Sequence, residues 1–395
     1  MIPASEPAPN STAPATTPDT RTIEDPRALI AGHSVRLLRN GAEAFPIWLA
    51  AIEAARERVS LEMYIFSDDV IGRRFAEALV RAAQRGVDVR LLYDYVGCRD
   101  TPARFFQRMR SRGIHVVAYH RYRAWRPRLW TLFRRNHRKT LVCDGRVAFT
   151  GGLNISDEWA PESDGGGDWH DAAIEINGPA VAPIEASFFR LWNRRARKRS
   201  RLDPTRLSPP APAGDVRLVM IGNDERRERF AIRRAALHAL RESQRRVHLV
   251  NPYFVPDRGV LHALMRAARR GVAVRLLVPL KSDSRILDLA ARAVFDRLLA
   301  AGVRIWRSTN VVHTKALAVD DIFVSIGSYN FDHRSLTYNL EMVVNVLDTA
   351  HATDVVDMIE GDITGSEELT REGFGRRSLL ARLLERLVYS FRKWL

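Results

Sequence analysis

Two short stretches of this 395-residue chain carry the same reactive residues at the same spacing. His137, Lys139 and Asp144 form one His-x-Lys-x4-Asp element, and His313, Lys315 and Asp320 form another. Gly151 and Asn154 follow His137 by 14 and 17 residues; Gly327 and Asn330 follow His313 by the same 14 and 17. One such match is weak evidence, whereas two at equivalent places are strong. The chain has only five lysines, and two of them are Lys139 and Lys315. Keeping Lys where Arg has nearly replaced it elsewhere suits a compact ammonium acting as a point charge on a phosphate oxygen. A neutral imidazole can attack phosphorus, and a protonated one can give the leaving alcohol its proton. The chemistry expected of the set is therefore phosphodiester transfer. Lys139, Lys315, Asn154 and Asn330, with Ser328 beside them, would hold the phosphoryl oxygens as charge redistributes.

An imidazole in such a role needs an acceptor on its second nitrogen. Glu341 in TYNLEMVV and Asp171 in DWHDAAIEI are the expected orienters, with Asp168 and Glu175 as competitors for the second position. Asp144 and Asp320 belong to the candidate catalytic motifs, but a turn position after a strand suits holding the loop better than chemistry.

The elements that must position these residues also come twice. Residues 82–92 read AAQRGVDVRLL and 267–277 read AARRGVAVRLL, differing at two positions of eleven. Each reads as a helix, a Gly stop and a strand. Upstream lie the strand candidates VSLEMYIF (59–66) and VHLVNPYF (247–254); downstream, second helix-Gly-strand units close in GIHVVAY and GVRIWRS. Period-two alternation would put His137, Lys139 and Leu141 on one face of a strand, with Asp144-Gly145 as a hairpin turn. Strands alternating with helices predict an α/β fold of two pseudo-symmetric domains, each a mostly parallel mixed sheet flanked by helices. The expected divisions are a disordered tail over 1–30, a first domain over 31–199 and a basic, Pro-rich linker over 200–214. A second domain over 215–365 and a basic amphipathic helix over 374–395 follow.

The formal net charge is +16, which points to an anionic partner such as an acidic membrane surface, nucleic acid or a phosphate-bearing substrate. Two cysteines, Cys98 and Cys143, exclude a disulfide framework and a zinc site and fit a reducing compartment. No window approaches the run of about 20 apolar residues that spans a membrane. The first half carries 13 more residues than the second just before its histidine, in HRYRAWRPRLWTLFRRN. Basic residues interleaved with Trp over 121–135 suit a lipid headgroup region or a solvated loop. Leu380, Leu384, Leu387, Phe391 and Leu395 recur at helical spacing within 376–395, as in an interfacial anchor or a helix packed on the protein's own core.

With these residues in view, the chain resembles the phospholipase D superfamily over roughly residues 35–350. It looks most like the bacterial cardiolipin synthases, particularly the shorter type without N-terminal membrane spans. NHRKTLVCDGRVAFTGGLNIS and HTKALAVDDIFVSIGSYNFDHRSLTYNLE carry the resemblance. GSYNFD, YNLE and WHD depart from the commoner forms GSANLD, LNFE and an Arg-Asp pair, which bears on lipid preference rather than reaction type. The resemblance implies two phospholipase D-like domains with the active site at their interface, and neither metal nor cofactor. It implies His137 as nucleophile and His313 as acid and base. It further implies phosphatidyl transfer to phosphatidylglycerol by a peripheral protein on the cytoplasmic face of the bacterial inner membrane. A hydrolytic phospholipase D, transfer to another alcohol, a nuclease of the same superfamily and a non-enzymatic membrane-binding protein are the competing readings.

Overall fold

The computed structural model describes residues 20–120, 134–196, 200–224, 228–280, 282 and 284–394. Its strands in the first half are β1 (Ile30–Arg39), β2 (Arg58–Met63), β3 (Asp88–Asp94), β4 (His115–Tyr119), β5 (Thr140–Cys143), β6 (Val147–Gly151) and β7 (Ala172–Asn177). Those of the second are β8 (Val216–Gly222), β9 (Arg246–Val250), β10 (Ala273–Pro279), β11 (Arg304–Ser308), β12 (Ala316–Val319), β13 (Phe323–Gly327), β14 (Met342–Leu347) and β15 (Glu367–Leu369). They form one sheet in the order β15-β11-β10-β9-β12-β13-β14-β8-β1-β7-β6-β5-β2-β3-β4. Read outward from the β8–β1 seam, the two halves repeat the same strand order, with β15 added at one edge.

The sheet is mixed, but the balance of pairing is the reverse of the expected one. Only β2–β3, β3–β4, β9–β10 and β10–β11 pair in parallel, where helices join successive strands. The remaining pairs are antiparallel, because β5–β6 and β12–β13 are tight hairpins and β7, β14, β1 and β8 return beside them. The shared Ala-Ala-x-Arg-Gly-Val run ends a helix each time. The helices Val70–Gln84 and Arg258–Arg269 are capped by Asp69 and Asp257 and stop where Gly86 and Gly271 take φ of +89° and +91°. That backbone is cheap for Gly and costly for residues with a Cβ.

Burial divides into layers. The helices of each half cover the outer face of their own sheet over apolar cores that include Phe75, Leu79 and Leu91 in one half and Leu261, Leu264 and Leu276 in the other. A further cluster joins the halves, bringing Val142, Ala148 and Ile174 together with Val250, Val324 and Val344. The ends of the strands bordering this shared core therefore face each other across the junction.

Three expected boundaries move. Residues 20–29 are ordered rather than tail: Ile23 is buried in the second half's core, Glu24 pairs with Arg234, and His238 bonds the Arg21 carbonyl. β15 lies beyond residue 365 and extends the second half's sheet by pairing with β11. The C-terminal helix runs over Leu379–Ser390. The side it turns inward carries Glu385 (3% exposed), which pairs with Arg292 and Arg377, and Val388 and Tyr389, which pack on the second half's core. Its apolar side faces out, with Leu380 at 79% and Trp394 at 78% exposure. Leu384, Leu387 and Phe391 share that exposed side, and Leu395 lies outside the described residues. Among the described residues no helix is long and apolar enough to cross a membrane. Most of the basic aromatic stretch 121–135, namely 121–133, also lies outside the described residues.

Candidate active site

Strand register brings the reactive residues to one place. β5 runs antiparallel to β2 with Thr140 opposite Glu62, and β12 runs antiparallel to β9 with Ala316 opposite Val250. Residues just before β5 and β12 thus lie at the carboxyl ends of β2 and β9, the usual position of ligand sites in sheets of this kind. Gly151 and Gly327 end β6 and β13, while Asp171 and Glu341 immediately precede β7 and β14.

His137 and Lys139 do not continue the strand, as alternation suggested; β5 starts at Thr140. The segment before it docks on the opposite half, where His137 N–H donates to the Leu340 carbonyl (3.0 Å) and Leu340 N–H to the Arg135 carbonyl (2.8 Å). The second half does the same in reverse. His313 N–H donates to the His170 carbonyl (2.7 Å) and His170 N–H to the Val311 carbonyl (3.0 Å). Each histidine is therefore carried by one half and held by the other.

The carboxylates follow that exchange. His137 Nδ1 lies 3.1 Å from Glu341 Oε2 and also 3.1 Å from the Ser328 carbonyl. His313 Nδ1 lies 2.6 Å from Asp171 Oδ2. With Nδ1 donating to a carboxylate, each ring keeps Nε2 as the nitrogen with a free lone pair. Glu341 is held in turn by Ser328 Oγ (2.5 Å), Ser335 Oγ (2.8 Å) and Asn339 Nδ2 (3.2 Å). Asp171 accepts from Trp159 Nε1 (3.0 Å) and its neighbour Ala172 N–H (2.9 Å). Of the two competitors, Glu175 bonds Asn177, and Asp168 occupies a turn at φ +47°.

Both imidazoles sit below their usual pKa. Burial and the Lys315 ammonium outweigh Asp171 and bring His313 to about 4. Burial also lowers His137 against the pull of Glu341. Burial and Lys315 together lower Lys139 to about 7. Burial would raise Asp171, but Lys315 and His313 hold it below the ordinary carboxylate range, and His137 and Lys139 do the same for Glu341. Each lysine acts on both histidines, so the four groups share one electrostatic field. Lys139 Nζ donates to the His137 carbonyl (2.7 Å) and lies 5.2 Å over the Tyr64 ring. Lys315 bonds the His313 carbonyl and lies 3.7 Å from Asp171.

Asn154 and Asn330 are both buried. Asn154 Oδ1 accepts from Ile65 N–H (3.0 Å), which fixes its amide; Asn330 Oδ1 has no partner among the described residues. Ser328 differs from its expected role. Its one hydroxyl proton goes to Glu341, and it accepts from Met342 N–H (3.1 Å), so it holds the orienter and not a phosphate. The motif aspartates also fall away from the reacting groups. Asp144 accepts from the backbone N–H of Arg56, Glu57 and Arg58, and Asp320 from that of Gln244, Arg245 and Arg246. Both sit at φ +54° in the hairpin turns at the far ends of β5 and β12, about 16 Å along the chain from the lysines. Their chemistry is to anchor the starts of β2 and β9.

Several site residues escaped the sequence reading. Tyr64 packs edge-on against His137 (4.8 Å between ring centroids), and Trp159, Trp169 and Tyr253 surround His313 at 5.3, 5.7 and 6.1 Å. The signal for the tyrosines was present, since each closes one of the duplicated strand runs, MYIF and NPYF.

Comparison with known proteins shows the family to which the chain belongs. The family described as cardiolipin synthase, PLD-like domain, matches residues 48–192 and 236–363. Cardiolipin synthase A of Pseudomonas putida (strain GB-1) is 35% identical over 344 residues, covering 87% of this chain and 71% of the relative. Cardiolipin synthase 1 of Bacillus anthracis is 33% identical over 365 residues, covering 89% and 70%. The crystal structure of phosphatidylserine synthase from Haemophilus influenzae Rd KW20 shares the fold, with a TM-score of 0.65 at 14% identity, covering 90% of this chain and 92% of that one.

Proposed function

The chain belongs to the cardiolipin synthase family of phospholipase D-like phosphatidyltransferases, and from that premise we propose that it moves a phosphatidyl group from one phospholipid to the headgroup hydroxyl of phosphatidylglycerol through a phosphohistidine. The observation that carries this reading is the crosswise pairing of His137 with Glu341 and His313 with Asp171 around two buried lysines. It gives two imidazoles with matching tautomers and a cationic cradle for one phosphodiester.

His137 Nε2 attacks phosphorus, and the bond to the leaving alcohol breaks as His313 donates a proton to that oxygen. His313, now neutral, takes the proton of the incoming hydroxyl, whose oxygen attacks phosphorus and frees His137. Lys139, Lys315, Asn154 and Asn330 hold the non-bridging oxygens. Phosphatidylglycerol as donor would release glycerol and leave cardiolipin; water as acceptor would leave phosphatidic acid. An anionic phosphodiester between the lysines raises the depressed pKa of the acid histidine, so substrate itself brings the proton donor into its working form.

The membrane side of the reading rests on the C-terminal helix, whose leucines and Trp394 point away from the protein while Arg382, Arg386 and Lys393 flank them. That combination suits a bilayer interface rich in anionic lipid. We assign peripheral docking on the cytoplasmic leaflet to it, in keeping with the free, buried Cys98 and Cys143.

The test is to incubate purified protein with labelled phosphatidylglycerol vesicles. Cardiolipin and glycerol should form in stoichiometric amounts, and either His137→Ala or His313→Ala should lower the rate at least about 10³-fold. Phosphatidic acid as the sole product would replace the transferase reading with hydrolysis, and full activity in the double variant would sink it.

A further inference from the structure

Beside the loop that carries Asn330 lies a cavity of about 400 Å³ whose wall is strongly cationic. Arg233, Arg258, Arg392 and Lys393 line it, with His333 and a single carboxylate, Asp257. Asp257 is committed to Arg233 through two bonds of 2.6 and 2.8 Å. Arg258, Arg392 and Lys393 have no carboxylate partner among the described residues. His333 responds to the excess: after burial, Lys393 and Arg392 are the largest influences holding its pKa down. Three uncompensated cations around one hollow form an anion site in want of an anion. The equivalent helix in the first half has no such excess. Counting back from the shared Arg-Gly stop puts Arg73 in the place of Arg258, and Arg73 is paired with Asp68 at 2.8 Å.

The position of the cavity narrows what the anion is. His333 follows Asn330 by three residues, a chain reach of at most about 11 Å. Val255 on the cavity wall is hydrogen-bonded to Phe331 of the same loop (2.9 Å). The turn that follows the C-terminal helix supplies Arg392 and Lys393 to the wall, and Phe391 and Trp394 are exposed beside them. The hollow thus adjoins both the loop that carries Asn330 and the exposed chain end assigned to the bilayer. An acceptor phospholipid must bring its headgroup hydroxyl to the phosphorylated histidine while its own phosphate stays close by. Two phosphodiesters at that range repel unless the second is neutralised.

From this geometry we infer that the cavity lined by Arg258, Arg392 and Lys393 holds the phosphate of the acceptor phospholipid during transfer. The inference deepens the transferase reading and rests on it for the identity of the ligand. Arg258 and Arg392 belong neither to the catalytic set nor to the basic residues assigned to membrane docking, so R258A/R392A leaves donor chemistry intact.

Two measurements decide it. With headgroup-labelled phosphatidylglycerol vesicles, the double variant should release headgroup within about twofold of wild type, while the ratio of cardiolipin to phosphatidic acid falls about tenfold. Calorimetry with inorganic phosphate should find two sites per chain in wild type and one in R258A/R392A. An unchanged product ratio overturns the inference, and if the phosphate stoichiometry falls with the ratio unchanged, the cavity serves free phosphate and not a lipid. One phosphate site in both proteins also overturns it. A wild type that releases no headgroup refutes the transferase reading instead, and the phosphate stoichiometry then decides on its own whether the cavity is an anion site.

Discussion

The two halves present the same His, Lys and Asn at the same spacing but support them in opposite ways. Beneath His137 lies a buried polar network. Glu62 Oε1 accepts from Asn136 Nδ2 (2.6 Å) and from Arg138 Nε and Nη2 (3.1 and 2.9 Å), while Oε2 accepts from Thr140 Oγ1 (3.2 Å). Asn136 N–H is taken by Asp94 (2.9 Å). The positions equivalent to Glu62, Asn136, Arg138 and Thr140 in the second half are Val250, Val312, Thr314 and Ala316, three of them part of the apolar core between the halves. The proposed transfer chemistry constrains the His, Lys and Asn side chains, whereas the scaffold below needs only to be full and satisfied. A charged network and an apolar wedge both meet that demand.

The carboxylate partners offer the largest effect with which to break the comparison. Asp171→Asn and Glu341→Gln each keep the shape but let the amide favour the wrong imidazole tautomer. Each should lower kcat by about 10²–10⁴, by analogy with carboxylate-held histidines elsewhere. Because the pairing is crosswise, Asp171→Asn should mimic His313→Ala, and Glu341→Gln should mimic His137→Ala, in single-turnover assays that separate formation from decay of the covalent intermediate. If each instead mimicked the histidine of its own half, the exchange across the junction would be wrong.

A smaller contrast lies one residue past each motif glycine. Ser328 occupies the place that Gly152 takes in the first half, and a Cβ on Gly152 would fall 2.0 Å from Asp171 Oδ1. Gly152→Ala should displace Asp171 and lower kcat by about 10²-fold. Ser328→Ala removes one of the three side-chain donors that hold Glu341 besides His137 and should lower kcat by about tenfold. Equal effects in steady-state kinetics would mean that the two orienters are not held as differently as their surroundings indicate.

What could be read from residues alone follows the same division. The duplicated motif, the repeated helix-Gly-strand unit and the two acids ahead of apolar runs are local patterns, and spacing exposes them. That Glu341 serves His137 and Asp171 serves His313 is a matter of which half meets which, and nothing local encodes it. Parallel pairing was overestimated because the helical connections are conspicuous, while Asp144-Gly145 and Asp320-Asp321 make the intervening hairpins antiparallel. Ile23 looked like tail because its neighbours are polar; only the groove that receives it distinguishes it from one. The C-terminal stripe of leucines was visible as a period, but which side faced the protein was decided by Glu385 finding Arg377 and Arg292.

The supports themselves can be exchanged. Glu62→Gln leaves buried Arg138 with Asp224, 3.9 Å away, as its charged partner and should destabilise the fold by about 3 kcal/mol. Val250→Ala removes about two methyl groups from the shared core and should cost about 2–3 kcal/mol. Replacing the whole set by its second-half counterparts, E62V/N136V/R138T/T140A, should recover most of the Glu62→Gln loss, since apolar packing can stand in for a buried ionic network. Thermal midpoints at fixed pH would rank the three; a quadruple variant weaker than the single would mean the network does more than fill space.

The finest distinction between the halves is between the two lysines. Each lysine bonds the carbonyl of its own histidine, but Lys315 also lies 3.7 Å from Asp171 whereas Lys139 lies over the Tyr64 ring, and burial with repulsion from Lys315 brings Lys139 to about 7. At pH 8 Lys139 is mostly neutral in the free protein. An anion placed between the lysines favours the charged ammonium and raises its pKa above 8, so binding must take up protons, by up to about one per site. Sulfate, whose own charge is constant over this range, is a suitable probe. Calorimetry in two buffers of different ionisation heat should show uptake at pH 8; towards pH 6 the lysine's share shrinks, because Lys139 already carries its proton, and the uptake that remains there belongs to the histidines. Lys139→Met should abolish the lysine's share. Lys315→Met should reduce it by a different route, because losing the second ammonium lets Lys139 charge before any anion arrives. Uptake unchanged in both variants would place the titrating group on the histidines and remove Lys139 from the phosphate cradle.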